Sequence, residues 1–271
     1  WDPLSGLFGR IIPTGGLVFV AATQGSNAVN VAAIDSLYLS ALDSLISSQA
    51  PLNGIDIVFS ARTSSAIRTG LCTHALNASQ RANGRVVLVR PELTTQTLAT
   101  AVGDASPGVG ATRNEGVFYN WPAVRTFIPE AVNYRLKTAD SLTTIDGILD
   151  VGSDGYLASV LSNLPPERNP GQSAEPVPTL MSTVIGLQRG APLLDMPEYM
   201  TLRTRGVCAP RLDPVVGPIF QSGITSSLIS GQKNIARRRM SYFIQDSLAA
   251  RINLYSKLPL TDQNKDSAVD E

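Results

Sequence analysis

The chain has 271 residues, 43% of them hydrophobic, and its 22 Lys and Arg are matched by 22 Asp and Glu. That length suits one large domain or two of ordinary size, with enough apolar residues for a core. A neutral chain has no net field to draw DNA, anionic lipid or an acidic substrate, and no apolar run approaches the ~20 residues of a membrane helix.

Charged residues make up only 16% of the chain, below the usual quarter, and small polar residues and glycine fill the difference. Such a surface suits a protein largely covered by copies of itself. Cys72 and Cys208 do not form a metal or redox spacing; a reduced, buried pair is the default, with one disulfide as the alternative. Trp1 stands where a native start would have Met, so the native start is expected to be missing.

Residues 1–14 read as an irregular lead-in, punctuated by Pro3, Gly6, Gly9 and Pro13. The continuous apolar run 16–22 (GLVFVAA) predicts a strand buried on both faces. Ile34, Leu37, Tyr38, Ala41, Leu42, Leu45 and Ile46 predict an amphipathic helix, and 55–61 (IDIVFSA) a second buried strand. A second helix is expected over 64–82, a third strand over 85–89, a third helix over 94–102 and a fourth strand over 116–121. Strands alternating with helices at this spacing give an α/β fold: a mostly parallel sheet with helices on both faces.

Beyond that point the pattern loosens. Residues 123–214 form a Pro/Gly-rich crossover within a domain of 15–214, expected to cross the surface. Short helices are predicted over 179–187 and 198–205, with Pro197 suited to the first turn of the second. Residues 215–260 hold a short apolar segment, Pro218-Ile219-Phe220, and then a long amphipathic helix; 261–271 is a polar tail expected to fray. Ala236, Met240, Phe243, Ile244, Ser247, Leu248, Ile252 and Tyr255 recur at three- and four-residue steps over 234–255, which predicts one long packing contact.

Arg237, Arg238 and Arg239 open this helix, where basic residues oppose the helix dipole. Consecutive residues sit about 100° apart, so the three cannot share one target. One reading is a solvated face with a single intrachain ion pair. The other is a dock for acidic groups of a neighbouring subunit, since Arg forks suit carboxylates. Nucleic acid is a third and weaker reading, because the chain lacks net positive charge.

The usual catalytic equipment is missing from the motifs. His74, the one histidine, lies mid-helix in LCTHAL, two residues from Cys72, so the two point apart. There is no GxSxG, GxGxxG or GxxxxGK[ST]. Gly108-Val109-Gly110 precedes a strand and reads as a turn. Asp146, Asp150 and Asp154 lack the spacing of a calcium loop and read as turn residues and helix caps. Asn77-Ala78-Ser79 matches a glycosylation sequon by chance.

Three stretches, in order, carry a resemblance: 116–129 (GVFYNWPAVRTFIP), 145–172 (IDGILDVGSDGYLASVLSNLPPERNPGQ) and 217–247 (GPIFQSGITS…KNIARRRMSYFIQDS). Together they resemble the sheath subunit of a contractile phage tail, a family that includes the sheaths of R-type bacteriocins and related contractile injection systems. The resemblance implies a structural subunit, not an enzyme, with no cofactor, metal or catalytic residue. Such a subunit polymerises as stacked hexameric rings around a tail tube and contracts to drive the tube through the bacterial envelope during genome delivery. Implied partners are copies of itself, the tail tube protein, and baseplate and tail terminator proteins; neither nucleic acid nor membrane insertion is implied. The implied location is the virion tail, with assembly in the host bacterial cytoplasm.

By the same resemblance the helix over 234–255 belongs to the inner layer around the tube, and Lys233, Arg237, Arg238 and Arg239 become candidate contacts to the tube or to adjacent subunits. Replacing Arg237 and Arg238 together by Glu is then expected to leave folding intact and abolish assembly. Sheath subunits usually continue past this helix and carry terminal arms that add strands to neighbours; both arms are expected to be absent here. Two other readings stay open: an α/β hydrolase or nucleotide-binding enzyme, supported if Arg62, Ser64 and His74 cluster, and another binding component of the same particle.

Overall fold

An apolar run becomes a doubly buried strand when alternate residues can enter two separate core layers. The computed structural model describes residues 31–47, 57–60, 62–80, 84–91, 97–105, 115–137, 142–171, 184–187, 194–213 and 217–255, and its central sheet is built this way. Four strands, β1 (Ile57–Val58), β2 (Val86–Val89), β3 (Val117–Asn120) and β7 (Val207–Cys208), lie parallel in the order β1-β2-β3-β7. Val87 pairs with Val117, Val89 with Tyr119, and Tyr119 with Val207.

Period two then divides the side chains. Val87, Val89, Val117, Tyr119 and Val207 enter one layer, and Val86, Leu88, Phe118 and Cys208 enter the other. The first layer is closed by α1 (Val31–Ser47), α2 (Ser65–Gln80), α3 (Leu98–Ala105) and α5 (Met196–Thr204), through Leu42, Ile67, Leu71, Ala101, Tyr199 and Leu202. The second is closed by α4 (Ser153–Asn163) and the start of α6 (Ile235–Tyr255), through Leu157, Leu161, Ile235 and Tyr242. The chain is therefore α/β, a parallel sheet with helices on both faces. Helix α5 begins at a full capping box: Asp195 Oδ1 accepts from Glu198 N (2.8 Å) and Glu198 Oε2 from Asp195 N (2.9 Å), with Pro197 in the first turn.

The crossover differs from the surface passage expected. After the cis Trp121–Pro122 bond, β4 (Val124–Lys137) and β5 (Leu142–Val151) run antiparallel, and β6 (Val184–Leu187) flanks β4 to give a sheet in the order β5-β4-β6. Helix α4, expected at the surface, is buried from Ser153 to Leu161. Residues 184–187 form a strand, not part of a helix: Val184 and Ile185 are β-branched and the segment pairs with Val124–Thr126. Strands β8 (Pro210–Asp213) and β9 (Gly217–Phe220) form a two-stranded ribbon. The expected strand 16–22, the turn 108–110 and the tail 261–271 lie outside the described residues.

Helix α6 contains the largest departure. Its apolar periodicity forms a helix as expected, but the face does not make one long packing contact. Ile235, Ala236 and Tyr242 are buried, whereas Phe243, Ile244, Leu248 and Ile252 are 56%, 49%, 54% and 63% exposed.

Candidate functional site

The three stretches that carry the resemblance converge at the start of α6. Asn169 is the junction: its amide nitrogen donates to Gly223 O (2.9 Å), and its amide oxygen accepts from Gly171 N (2.8 Å). Gly171 and Gly223 are glycines because the backbones touch here. A Cβ on Gly171 would lie 2.6 Å from Ser222 Cα, and one on Gly223 would strike the Asn169 amide and lie 2.7 Å from Pro170 Cδ. Ser226 N donates to Val117 O (2.7 Å), which ties the same loop to β3. Asn234 then caps α6, accepting from Ala236 N (2.9 Å) and Arg237 N (3.3 Å).

From this anchored cap the Arg triplet fans out to three different surroundings, as 100° steps require. Arg238 is turned inward. It pairs with Glu115 (2.6 Å), donates to Ser79 Oγ (3.1 Å) and lies 4.1 Å from the Tyr242 ring centroid. Arg239 reaches the C-terminus of α4, donating through Nη2 to Leu161 O (2.7 Å) and Leu164 O (2.8 Å), and through Nη1 to Pro165 O (3.3 Å). Only Arg237 and the preceding Lys233 stand exposed. Reversing Arg238 would break the Glu115 pair, so the paired Arg237 and Arg238 substitution is not neutral to folding.

Arg237 is seven residues before Ile244 and fourteen before Arg251, so all three fall in one row along the helix. The apolar face of α6 thus carries guanidinium groups within it. From Phe243 to Leu248 every side chain is exposed, as are Arg251 and Ile252. The helix is packed over its first two turns, and the described remainder projects past the body.

The loop before α6 is held out from within. Thr225 N donates to Lys233 O (2.8 Å), Thr225 Oγ1 to Gln232 O (2.7 Å), Ser227 Oγ to Gln232 Oε1 (3.0 Å), and Gly231 turns the chain at φ 88°. Leu228 (43% exposed) and Ile229 (63% exposed) stand at its tip. Sequence reasoning missed these two residues; a Ser/Gly-rich segment gives no sign that its own hydrogen bonds will fix it.

The carboxyl edge of a parallel sheet is where α/β proteins usually hold ligands. Here the chain's own residues occupy that edge. Arg90, at the end of β2, pairs with Asp154 in the first turn of α4 (3.1 Å to each oxygen), and both are buried. Burial pushes the Asp154 carboxyl up, and Arg90 with the helix amides opposes it. The Asn120 amide donates to Val89 O (2.7 Å) and accepts from Ser153 Oγ (2.9 Å) and Asp154 N (2.6 Å).

Arg62 and Ser64 meet, but on Asp35 and not on His74. Ser64 Oγ donates to Asp35 Oδ2 (2.7 Å) and Arg62 pairs with Oδ1. Burial opposes ionisation of Asp35, and the bonds from Ser64 and Arg62 outweigh it, so its pKa is lowered. His74 is buried against Arg85, Nε2 3.2 Å from Nη1, and burial with the Arg85 charge lowers its pKa to about 4. Cys72 and Cys208 are buried and joined in no disulfide, and burial pushes both thiols up to about 12, far from a reactive thiolate. Among the described residues no group of three acidic, Cys or His side chains could hold a metal, and no helix is long and apolar enough to cross a membrane.

No family model matches the sequence, and no curated protein does. Solved structures do match in fold. A chain of the anti-feeding prophage baseplate superposes with a TM-score of 0.59 at 12% identity, covering 84% of this chain and 54% of its own. A chain of the contracted helical sheath of the anti-feeding prophage gives 0.57 at 11% identity, covering 90% of this chain and 66% of its own. The contracted PVC sheath complex of an extracellular contractile injection system gives 0.54 at 13% identity, covering 84% and 55%. The chain has the fold of these contractile-system proteins, and spans between 54% and 66% of their length.

Proposed function

We propose that this chain is a structural subunit of a contractile tail sheath, a component of a phage tail or related injection particle. The observation that carries the reading is the shared fold over 84–90% of the chain with proteins of contracted sheaths and a contractile baseplate. The layout of the chain supports it. The carboxyl edge of the sheet is filled by an ion pair, both cysteines are unreactive, and the exposed chemistry is a stiffened loop and a projecting helix.

In this reading the α/β body is the rigid unit, and copies associate into stacked rings around a tube through many modest contacts. No bond is made or broken; free energy comes from interface rearrangement summed over the lattice. Arg238 and Arg239 are internal anchors that set the angle of α6. Lys233 and Arg237, with Leu228 and Ile229 beside them, are the contacts offered to a tube or an adjacent subunit, Arg237 being suited to carboxylates.

The test is a pelleting assay with and without tail tube protein. Lys233→Glu with Arg237→Glu is expected to leave the melting temperature within ~1 °C, as for exposed substitutions, and to remove the protein from the pellet. Normal assembly by this folded double variant would sink the contact assignment.

A further inference from the structure

Helix α1 closes one flank of the first core layer with few buried residues. Of its described side chains only Asp35 and Leu42 are buried, while Tyr38, Leu39 and Leu45 pack half-buried. A helix so lightly held opens at a lower free energy than the body it rests on. Leu39 enters a notch at Gly70 of α2, where a Cβ would strike it. Asp35 is tied to Ser64 and Arg62. One turn beyond Gly70, on the same face of α2, stands His74, fully buried with the backbone of Leu42 against its ring.

The closed helix accepts only a neutral His74. Arg85 has donors and no acceptor, so Nε2, 3.2 Å from its Nη1, accepts. Nδ1 then carries the proton, and it is buried with no hydrogen bond among the described residues. A proton added to Nε2 would set donor against donor and cation against cation, both groups buried. Among the described residues the charged groups acting on the ring are Arg85, just before β2, and Asp43 of α1. Asp43 is exposed, so water screens its help.

We propose that α1 is an acid-released strap: protonation of His74 frees α1 from α2 while the rest of the α/β body stays folded. Release lets water reach the imidazolium and uncovers the Gly70–His74 flank of α2. That flank belongs to the layer of Val87 and Val207, across the sheet from α6, so the device does not depend on what α6 contacts. The sign follows from a histidine whose pKa is depressed in the closed form. Its contribution is complete above pH 6.5 and is lost as pH falls towards 4. The Asp35 carboxyl is held below its ordinary value, so its clasp stays ionised through that window.

The experiment is amide hydrogen exchange of the full chain at pH 7 and pH 4.5, with labelling times scaled to the intrinsic rate at each pH. With a pKa of about 4 closed and the ordinary 6.5 open, opening of α1 is expected to rise about 50-fold between the two. Helix α4 and strand β2 are expected to keep their protection. In His74→Gln the rise in α1 opening is expected to fall below about threefold. Asp35→Asn loosens the other tie and keeps the histidine, so the test stands even where the glutamine variant folds poorly. It is expected to lower α1 protection at both pH values and retain the rise of about 50-fold. Protection of α1 that is equal at the two pH values would overturn the inference. So would an equal loss over α1, α4 and β2, which marks global unfolding, or a full rise in folded His74→Gln.

Discussion

Replacing Arg239 by Met keeps the aliphatic stem and removes the guanidinium that caps α4. The structure gives that group two short bonds, to Leu161 O at 2.7 Å and Leu164 O at 2.8 Å, and a weaker third to Pro165 O at 3.3 Å. Hydrogen bonds to charged groups contribute about 1.5–3 kcal/mol each. Water can replace the guanidinium at the carbonyls of half-buried Leu164 and exposed Pro165, so only the bond to buried Leu161 counts in full, and about 2 kcal/mol is the expected loss. For a chain of this size that is about 4–8 °C in melting temperature. Arg237→Met removes the same charge from an exposed side chain and is expected to shift stability by less than about 0.5 kcal/mol. Urea melts at constant m-value measure both. Equal losses for the two variants, or no loss for Arg239→Met, would show that the triplet is not divided into inward and outward members.

Gly223→Ala is expected to destabilise by about 2–3 kcal/mol, because the new methyl meets the Asn169 amide and Pro170 Cδ, neither free to move far; a melting temperature equal to the parent's would contradict the close packing at the Asn169 junction. Burial holds His74 neutral, its pKa lowered from the usual 6.5 to about 4. A depressed histidine gives stability that is complete above pH 6.5 and is lost as pH falls towards 4, roughly 3 kcal/mol in all. His74→Gln is expected to flatten that part of the stability–pH curve, read by urea unfolding at pH 7 and 4.5, and an unchanged slope would mean that other groups carry it. Asp154→Ala removes the carboxylate that balances the buried Arg90 charge, and a loss of about 3–5 kcal/mol is expected; thermal melts of the variant would show a much smaller loss if water reaches Arg90.

The parallel layer was legible because IDIVFSA and RVVLV are continuous apolar runs between helical periods, and such runs have few other uses. The β5-β4-β6 sheet was not. Its strands mix Arg125, Thr126, Pro129, Asp146 and Asp150 with apolar residues and so show neither a buried run nor a clean alternation. The α6 stripe was read correctly as a helix and wrongly as a filled contact. Periodicity shows that a face seeks cover, not that the same chain supplies it. The Arg triplet's division could be anticipated from helix geometry alone. Its partners could not, because Glu115 and the α4 carbonyls are over seventy positions away and only the fold brings them close. Asp154 looked like a turn residue because Arg90, its partner, lies 64 residues earlier.

The most direct test of a sheath subunit is negative-stain electron microscopy of the chain concentrated alone and with tail tube protein. The account predicts stacked rings or hollow ribbed tubes, abolished by Lys233→Glu with Arg237→Glu. A monodisperse monomer at every salt and protein concentration, with or without the tube, would contradict it.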